Sequence, residues 1–102
     1  MSSEVEKRVL LTLVTEAVVE QSLLADLDRL GARGYTIADV RGRGSHGVRD
    51  AAWGEAANIR VEIICSRTLA ESLVAHLRDH YYANYAMTTF LHEVEISRPE
   101  KF

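Results

Sequence analysis

The sequence predicts a two-layer α+β domain with the element order βαββαβ, and three observations carry that prediction. Four runs rich in β-branched and aromatic residues have strand character, at 8–15, 35–41, 58–66 and 87–97. Two segments between them show apolar residues at helical spacing. The chain also repeats itself: shifted by fifty residues, SLLADLDRL (22–30) falls on SLVAHLRDH (72–80), with Ser22/Ser72, Leu23/Leu73, Ala25/Ala75 and Leu27/Leu77 identical. One βαβ unit used twice explains all three.

Taken in order, the first strand contains LTLV, which the same shift sets against VEII of the third. The first helix presents Val19, Leu23, Leu27 and Leu30 on one face, as an amphipathic helix must. The shift then sets Gly34-Tyr35 on Asn84-Tyr85; glycine and asparagine best tolerate a left-handed backbone, so a shared helix-ending turn is expected there. The second helix presents Leu69, Leu73, Val74, Leu77 and Tyr81, and Thr68 and Glu71 are spaced as a capping box at its start. This order is the ferredoxin-like plait, expected as a single domain over 1–102 because a chain this short buries one modest core.

Both helices of a plait cover the same sheet face. Strand alternation gives the other face Leu10, Thr12, Val14, Ile64 and either the Phe90 or the Leu91 set, too apolar to leave wet. At about 25 cal/mol per Å², a few hundred Å² of such surface favours association by several kcal/mol before its entropic cost. A closed oligomer is therefore expected.

Composition narrows the function. With 47% apolar and 26% charged residues the chain is of ordinary soluble type. The longest apolar run, VLLTLV, is too short to cross a bilayer, and MSSEVEKR has no signal-peptide core, so a cytoplasmic location is expected. Cys65 is the only cysteine and sits in IRVEIIC, where it reads as a buried, inert thiol. The net charge is −3, yet Arg41, Arg43 and Arg49 against Asp50 give residues 41–50 a formal +2, leaving −5 for the rest. A basic island in an acidic chain points to a local anion site, not to a nucleic-acid footprint, which needs a broad basic face.

That island lies in an unexpectedly long connection. A plait needs two to five residues between its second and third strands, but Gly42 to Ala57, GRGSHGVRDAAWGEAA, intervene. Gly42, Gly44 and Gly47 allow the backbone to approach a ligand and turn its N–H groups into a concave anion nest. Ser45 adds a hydroxyl donor, and Arg41, Arg43 and Arg49 offer charge-assisted contacts to phosphate or carboxylate. A solvated hairpin tip whose arginines bind nothing is an equal alternative on chemistry alone. No GxxxxGK[ST] is present, and GRGSHG opens no helix, so both the P-loop and the dinucleotide fingerprint fail.

Three stretches carry a resemblance: GARGYTIADVRGRGSHGVR after the first helix, ANIRVEII entering the third strand, and HYYANYAM leading to the fourth. The chain resembles the PII signalling superfamily, and within it the PII-like, SbtB-type regulators associated with bicarbonate transporters and carboxysomes. The resemblance implies a homotrimer with adenine nucleotides in clefts between subunits and residues 42–57 as the T-loop that reports occupancy to a partner. Gly42, Gly44, Ser45 and Arg49 would hold phosphate, with Arg41 and Arg43 beside them, and Gly34 and Tyr35 would flank the base. Some carbon-linked members also sense bicarbonate, which Arg43, Ser45 and Arg49 would suit. The implied partner is a bicarbonate transporter or another membrane transport protein, with Trp53 as a contact in the loop's second half.

Departures qualify the resemblance. The chain ends ISRPEKF without the paired-cysteine extension of many SbtB-type proteins, the loop has no tyrosine for uridylylation, and no glycine-lysine phosphate loop lies near the second helix. ADP or AMP are the expected ligands, with ATP and cyclic AMP as alternatives. Rival readings are fewer. An RNA-recognition plait would expose aromatics on its central strands, and VLLTLV and NIRVEIIC contain none. An ACT-like amino-acid sensor shares the plait and its oligomerisation, though not the long basic loop. A metal-binding plait would use His76 and His80, four apart on the second helix, but with no convincing third ligand they read as ordinary surface residues and no metal is expected. His46 reads as a solvated neighbour of phosphate and His92 as structural. No nucleophile–base pair or paired carboxylates can be assembled, so the chain is not expected to be an enzyme.

Overall fold

Every expected element forms, each within a few residues of its expected bounds. The computed structural model describes residues 5–42 and 57–102. Strand β1 spans Glu6–Glu16 and leads through a short 3-10 turn, Ala17–Val19, into helix α1, Glu20–Leu30. Strands β2, Thr36–Val40, and β3, Asn58–Cys65, flank the long connection; helix α2, Arg67–His80, and strand β4, Thr88–Ile96, complete the order. The sheet runs β2-β3-β1-β4 with all neighbours antiparallel.

The repeat is a structural pseudo-symmetry. Leu11 pairs with Ile63 and Leu13 with Val61, and the fifty-residue shift converts one pair into the other. Thr12 pairs with Glu62, its own equivalent, so a pseudo-two-fold axis passes between them at the sheet centre. On the helix-covered face Val9, Leu11, Leu13, Ile59, Val61, Ile63 and Cys65 are buried against Val19, Leu23, Leu27, Ala70, Leu73, Leu77 and Tyr81. Leu30, Leu69 and Val74, expected on the helix faces, are partly buried at its rim. Cys65 is buried, and loss of solvation pushes its thiol above the usual range, as expected for an inert core thiol.

Register settles which β4 set faces away from the helices. Phe90 lies opposite Thr12 and His92 opposite Leu10, whereas Leu91 lies opposite Leu11 and packs on the core. Paired residues share a face, so the open face carries Leu10, Val14, Ile64 and Phe90 around a buried Thr12. Phe90 is 49% exposed. His92 is exposed on this face. Towards β2 the face turns polar, with Arg60 Nε 3.5 Å from Glu62 Oε2.

Two local expectations are corrected. The left-handed residue that ends α1 is Gly31, at φ 107°, and neither Gly34 nor Asn84 has positive φ. Ala32 N–H donates to Leu27 O at 2.9 Å and Gly31 N–H reaches Asp28 O at 3.3 Å, so the orphan carbonyls of α1 are met three residues earlier than Gly34 would have met them. At α2 the cap is Ser66 and not Thr68: Ser66 is extended, φ −70° and ψ 160°, and its Oγ accepts from Leu69 N–H at 3.1 Å. Thr68 already lies inside the helix, where its backbone geometry cannot cap. Ser66→Ala should lower stability by about 1 kcal/mol, read as a lower urea midpoint at unchanged slope, while Thr68→Ala should shift the midpoint far less.

Candidate functional site

Four of the expected site residues lie within the described structure. Gly34 and Tyr35 end the α1–β2 connection, and Arg41 and Gly42 leave the other end of β2, both exposed. Arg43, Gly44, Ser45, Arg49 and Trp53 lie outside the described residues. A strand advances about 3.3 Å per residue, so Tyr35 and Arg41 are roughly 20 Å apart along β2. Within one chain the structure therefore does not bring the base-flanking pair and the start of the glycine-arginine loop together.

The surroundings of each end are specific. Tyr35 Oη donates to Asp28 Oδ1 at 3.4 Å, and lost solvation together with this carboxylate raises its phenol above the usual range. Its ring is partly buried against the core, which fixes the connection next to Gly34. Among the described residues no atom within 4 Å would oppose a Cβ at Gly34 or Gly42, so close packing against them does not demand glycine at either position. At the loop's return, Ala17 N–H donates to Ala57 O at 2.9 Å, and Glu16 accepts from Ala86 N–H at 2.8 Å. These bonds tie the end of β1 to both the returning loop and the α2–β4 connection.

A second polar cluster lies between the helices, on the layer remote from the open sheet face. Asp26 Oδ2 accepts from Tyr81 Oη at 2.7 Å and lies 2.9 Å from His76 Nε2, and Oδ1 accepts from Arg29 at 3.1 Å. Burial opposes ionisation of this carboxyl, but the hydrogen bonds from Tyr81, His76 and Arg29 outweigh it and hold its pKa at about 2. Burial and the neighbouring Asp26 charge push the Tyr81 phenol up. A carboxylate already met by three donors is a clasp between α1 and α2, not a general base. An open cavity of about 390 Å³ adjoins it, lined also by His80, Asn84 and Tyr85. Sequence reading placed His76 and His80 on α2 but missed Asp26. The signal was present, since Asp26 and His76 are equivalents under the fifty-residue shift and, like Thr12 and Glu62, meet across the pseudo-axis.

Among the described residues no three His, Cys, Asp or Glu side chains form a metal-holding group, and no helix is long and apolar enough to cross a membrane. Comparison with known proteins supplies what the geometry lacks. The model of the family "Nitrogen regulatory protein P-II" matches residues 8–101. A PII-like signalling protein from Thermus thermophilus is 37% identical, with a TM-score of 0.82 over 98% of this chain and 99% of that one. CPII from Thiomonas intermedia K12, bound to ADP and bicarbonate, is 25% identical, with a TM-score of 0.82 over 96% of each chain. The same protein bound to ADP, AMP and bicarbonate gives 26% identity and a TM-score of 0.80, over 96% of this chain and 95% of that one. The family match takes in both βαβ units and the long β2–β3 connection, so this chain belongs to the nitrogen regulatory protein P-II family.

Proposed function

We propose that the protein is a non-enzymatic signalling protein of the PII-like, carbon-linked type. It assembles as a homotrimer, binds ADP or AMP together with bicarbonate in clefts between subunits, and regulates inorganic-carbon uptake by presenting residues 42–57 to a bicarbonate transporter or another membrane transport protein. The observation that carries this reading is the likeness over nearly the whole chain to CPII bound to ADP, AMP and bicarbonate, joined to the basic, glycine-rich segment that begins at the exposed Arg41 and Gly42. A cleft between subunits also accounts for the separation along β2: Gly34 and Tyr35 of one chain would flank the base while Gly42, Gly44, Ser45 and Arg49 of another hold phosphate. Arg43, Ser45 and Arg49 supply the donors that bicarbonate, a small planar anion, requires.

The loop's halves divide the work. GRGSHGVR carries the anion donors, and DAAWGEAA carries Trp53, the only tryptophan, as a partner anchor. Ligand contacts to the first half then select the surface that the second half shows, by differential binding to two loop arrangements. Trp53 fluorescence should change on addition of ADP or AMP and change further with bicarbonate. Deleting residues 50–57 should abolish capture of the transport protein while leaving nucleotide affinity within a few-fold. If saturating nucleotide leaves Trp53 fluorescence and amide exchange in 50–57 untouched, the loop is not a switch.

A further inference from the structure

The polar cluster on the helix layer is built like half of a metal centre. His76 and His80 lie one turn apart on α2, with ring centroids 4.4 Å apart and planes tilted by 33°. With metal–nitrogen bonds of about 2.0–2.1 Å, two imidazoles this close can occupy adjacent positions around one ion. His76 is already oriented as a metal-binding histidine usually is, with one ring nitrogen committed to a carboxylate and the other left for the ion. Here Nε2 lies 2.9 Å from Asp26 Oδ2, which leaves Nδ1 as the ring nitrogen with no hydrogen bond among the described residues. Asp26 is in turn fixed by Tyr81 Oη at 2.7 Å and Arg29 at 3.1 Å, so the anchor is anchored.

His80 makes no hydrogen bond among the described residues and is exposed on the open cavity of about 390 Å³. That cavity gives the ion an entry path and room for the waters that would fill its remaining positions. Asp26 stays outside the coordination shell: its Oδ1 and Oδ2 are taken up by three donors, and no three-residue ligand group forms among the described residues.

We propose that His76 and His80 form a two-histidine site for a divalent transition-metal ion, with Asp26 as the positioning residue that fixes the His76 ring. The site lies on the helix layer, on the side of the sheet opposite the open face. Imidazole donors favour copper, nickel and zinc, in the order expected for nitrogen ligands, and disfavour hard cations that need oxygen. Cu²⁺ should bind more tightly than Ni²⁺, Ni²⁺ more tightly than Co²⁺, and Mg²⁺ and Ca²⁺ should not bind measurably.

The full-length chain, stripped with a chelator and titrated with NiCl₂ by calorimetry, tests this directly. Wild type should show saturable binding that falls tenfold or more in His80→Ala, whose exposed position at the end of α2 leaves folding unaffected. Asp26→Asn should weaken binding by about 10- to 100-fold, while His92→Ala, on the far side of the sheet, should leave it unchanged. Loading with Cu²⁺ adds a reading that a purely structural role would not move: electron paramagnetic resonance should show two coordinated nitrogens in wild type and one in His80→Ala. Equal nickel affinity in wild type and a His76→Ala/His80→Ala double variant, or no saturable binding by wild type, overturns the site. Unchanged affinity in Asp26→Asn overturns the positioning role alone.

Discussion

Replacing Arg49 by alanine is expected to weaken adenine-nucleotide binding by tenfold or more. A charge-assisted hydrogen bond between a guanidinium and a phosphate contributes about 1.5–3 kcal/mol, and each 1.4 kcal/mol is about a factor of ten in affinity. In the proposed function Arg49, the last residue of the Gly42–Arg49 segment, is one of the residues that hold phosphate. Lysine at the same position retains the charge but loses the two-pronged geometry, and should give an intermediate affinity. The mass of the assembly by light scattering should not change with either substitution. Equal affinities of wild type and Arg49→Ala, measured by calorimetry with ADP, would remove Arg49 from the site.

Phe90→Asp should convert the assembly to monomers. Phe90 stands 49% exposed on the sheet face that no helix covers, opposite Thr12 and among Leu10, Val14 and Ile64. Packing such a face against its copies buries a large side chain worth about 1.5–3 kcal/mol. A carboxylate in its place must be desolvated without a partner, at an effective cost of several kcal/mol. Because the change repeats in every subunit, the effect multiplies through the assembly. The protomer itself should survive, since the face is outside the core formed by Leu11, Leu13, Val61 and Ile63. Sedimentation as a monomer at micromolar concentration with unchanged far-ultraviolet circular dichroism is the expected result, with nucleotide binding lost in parallel if the cleft lies between subunits. A wild-type chain that is itself a stable monomer would end the trimer proposal.

These two predictions rest on features with different legibility in the sequence. The plait was legible because its signals are local and redundant: period-two strands, 3.6-period helices and a fifty-residue repeat all give one answer. Which β4 set faces the open side was not, because Phe90 and Leu91 are adjacent and a one-residue change of register exchanges them; the pairing of Phe90 with Thr12 decides it. The errors at Gly34 and Thr68 share a cause. Sequence motifs identify residues able to cap, but the helix ends where its hydrogen bonds are met, and Gly31 and Ser66 meet them first. The anion-binding reading of Gly42 to Arg49 rests on composition and order alone, since residues 43–49 lie outside the described residues, and the roughly 20 Å between Tyr35 and Arg41 along β2 emerges only when the strand is built. The Asp26–His76 contact needed the repeat to be read as a symmetry axis in addition to a duplication.

The central claim is that this chain senses adenine nucleotide together with bicarbonate. Calorimetric titration of the assembled protein with AMP, ADP, ATP and cyclic AMP, each with and without bicarbonate, tests it most directly. The account predicts saturable binding of ADP or AMP, equimolar with subunits, and a tighter complex when bicarbonate is present. Absence of binding by all four nucleotides, with heat instead on adding a free amino acid, would contradict it and give the loop arginines no nucleotide to hold.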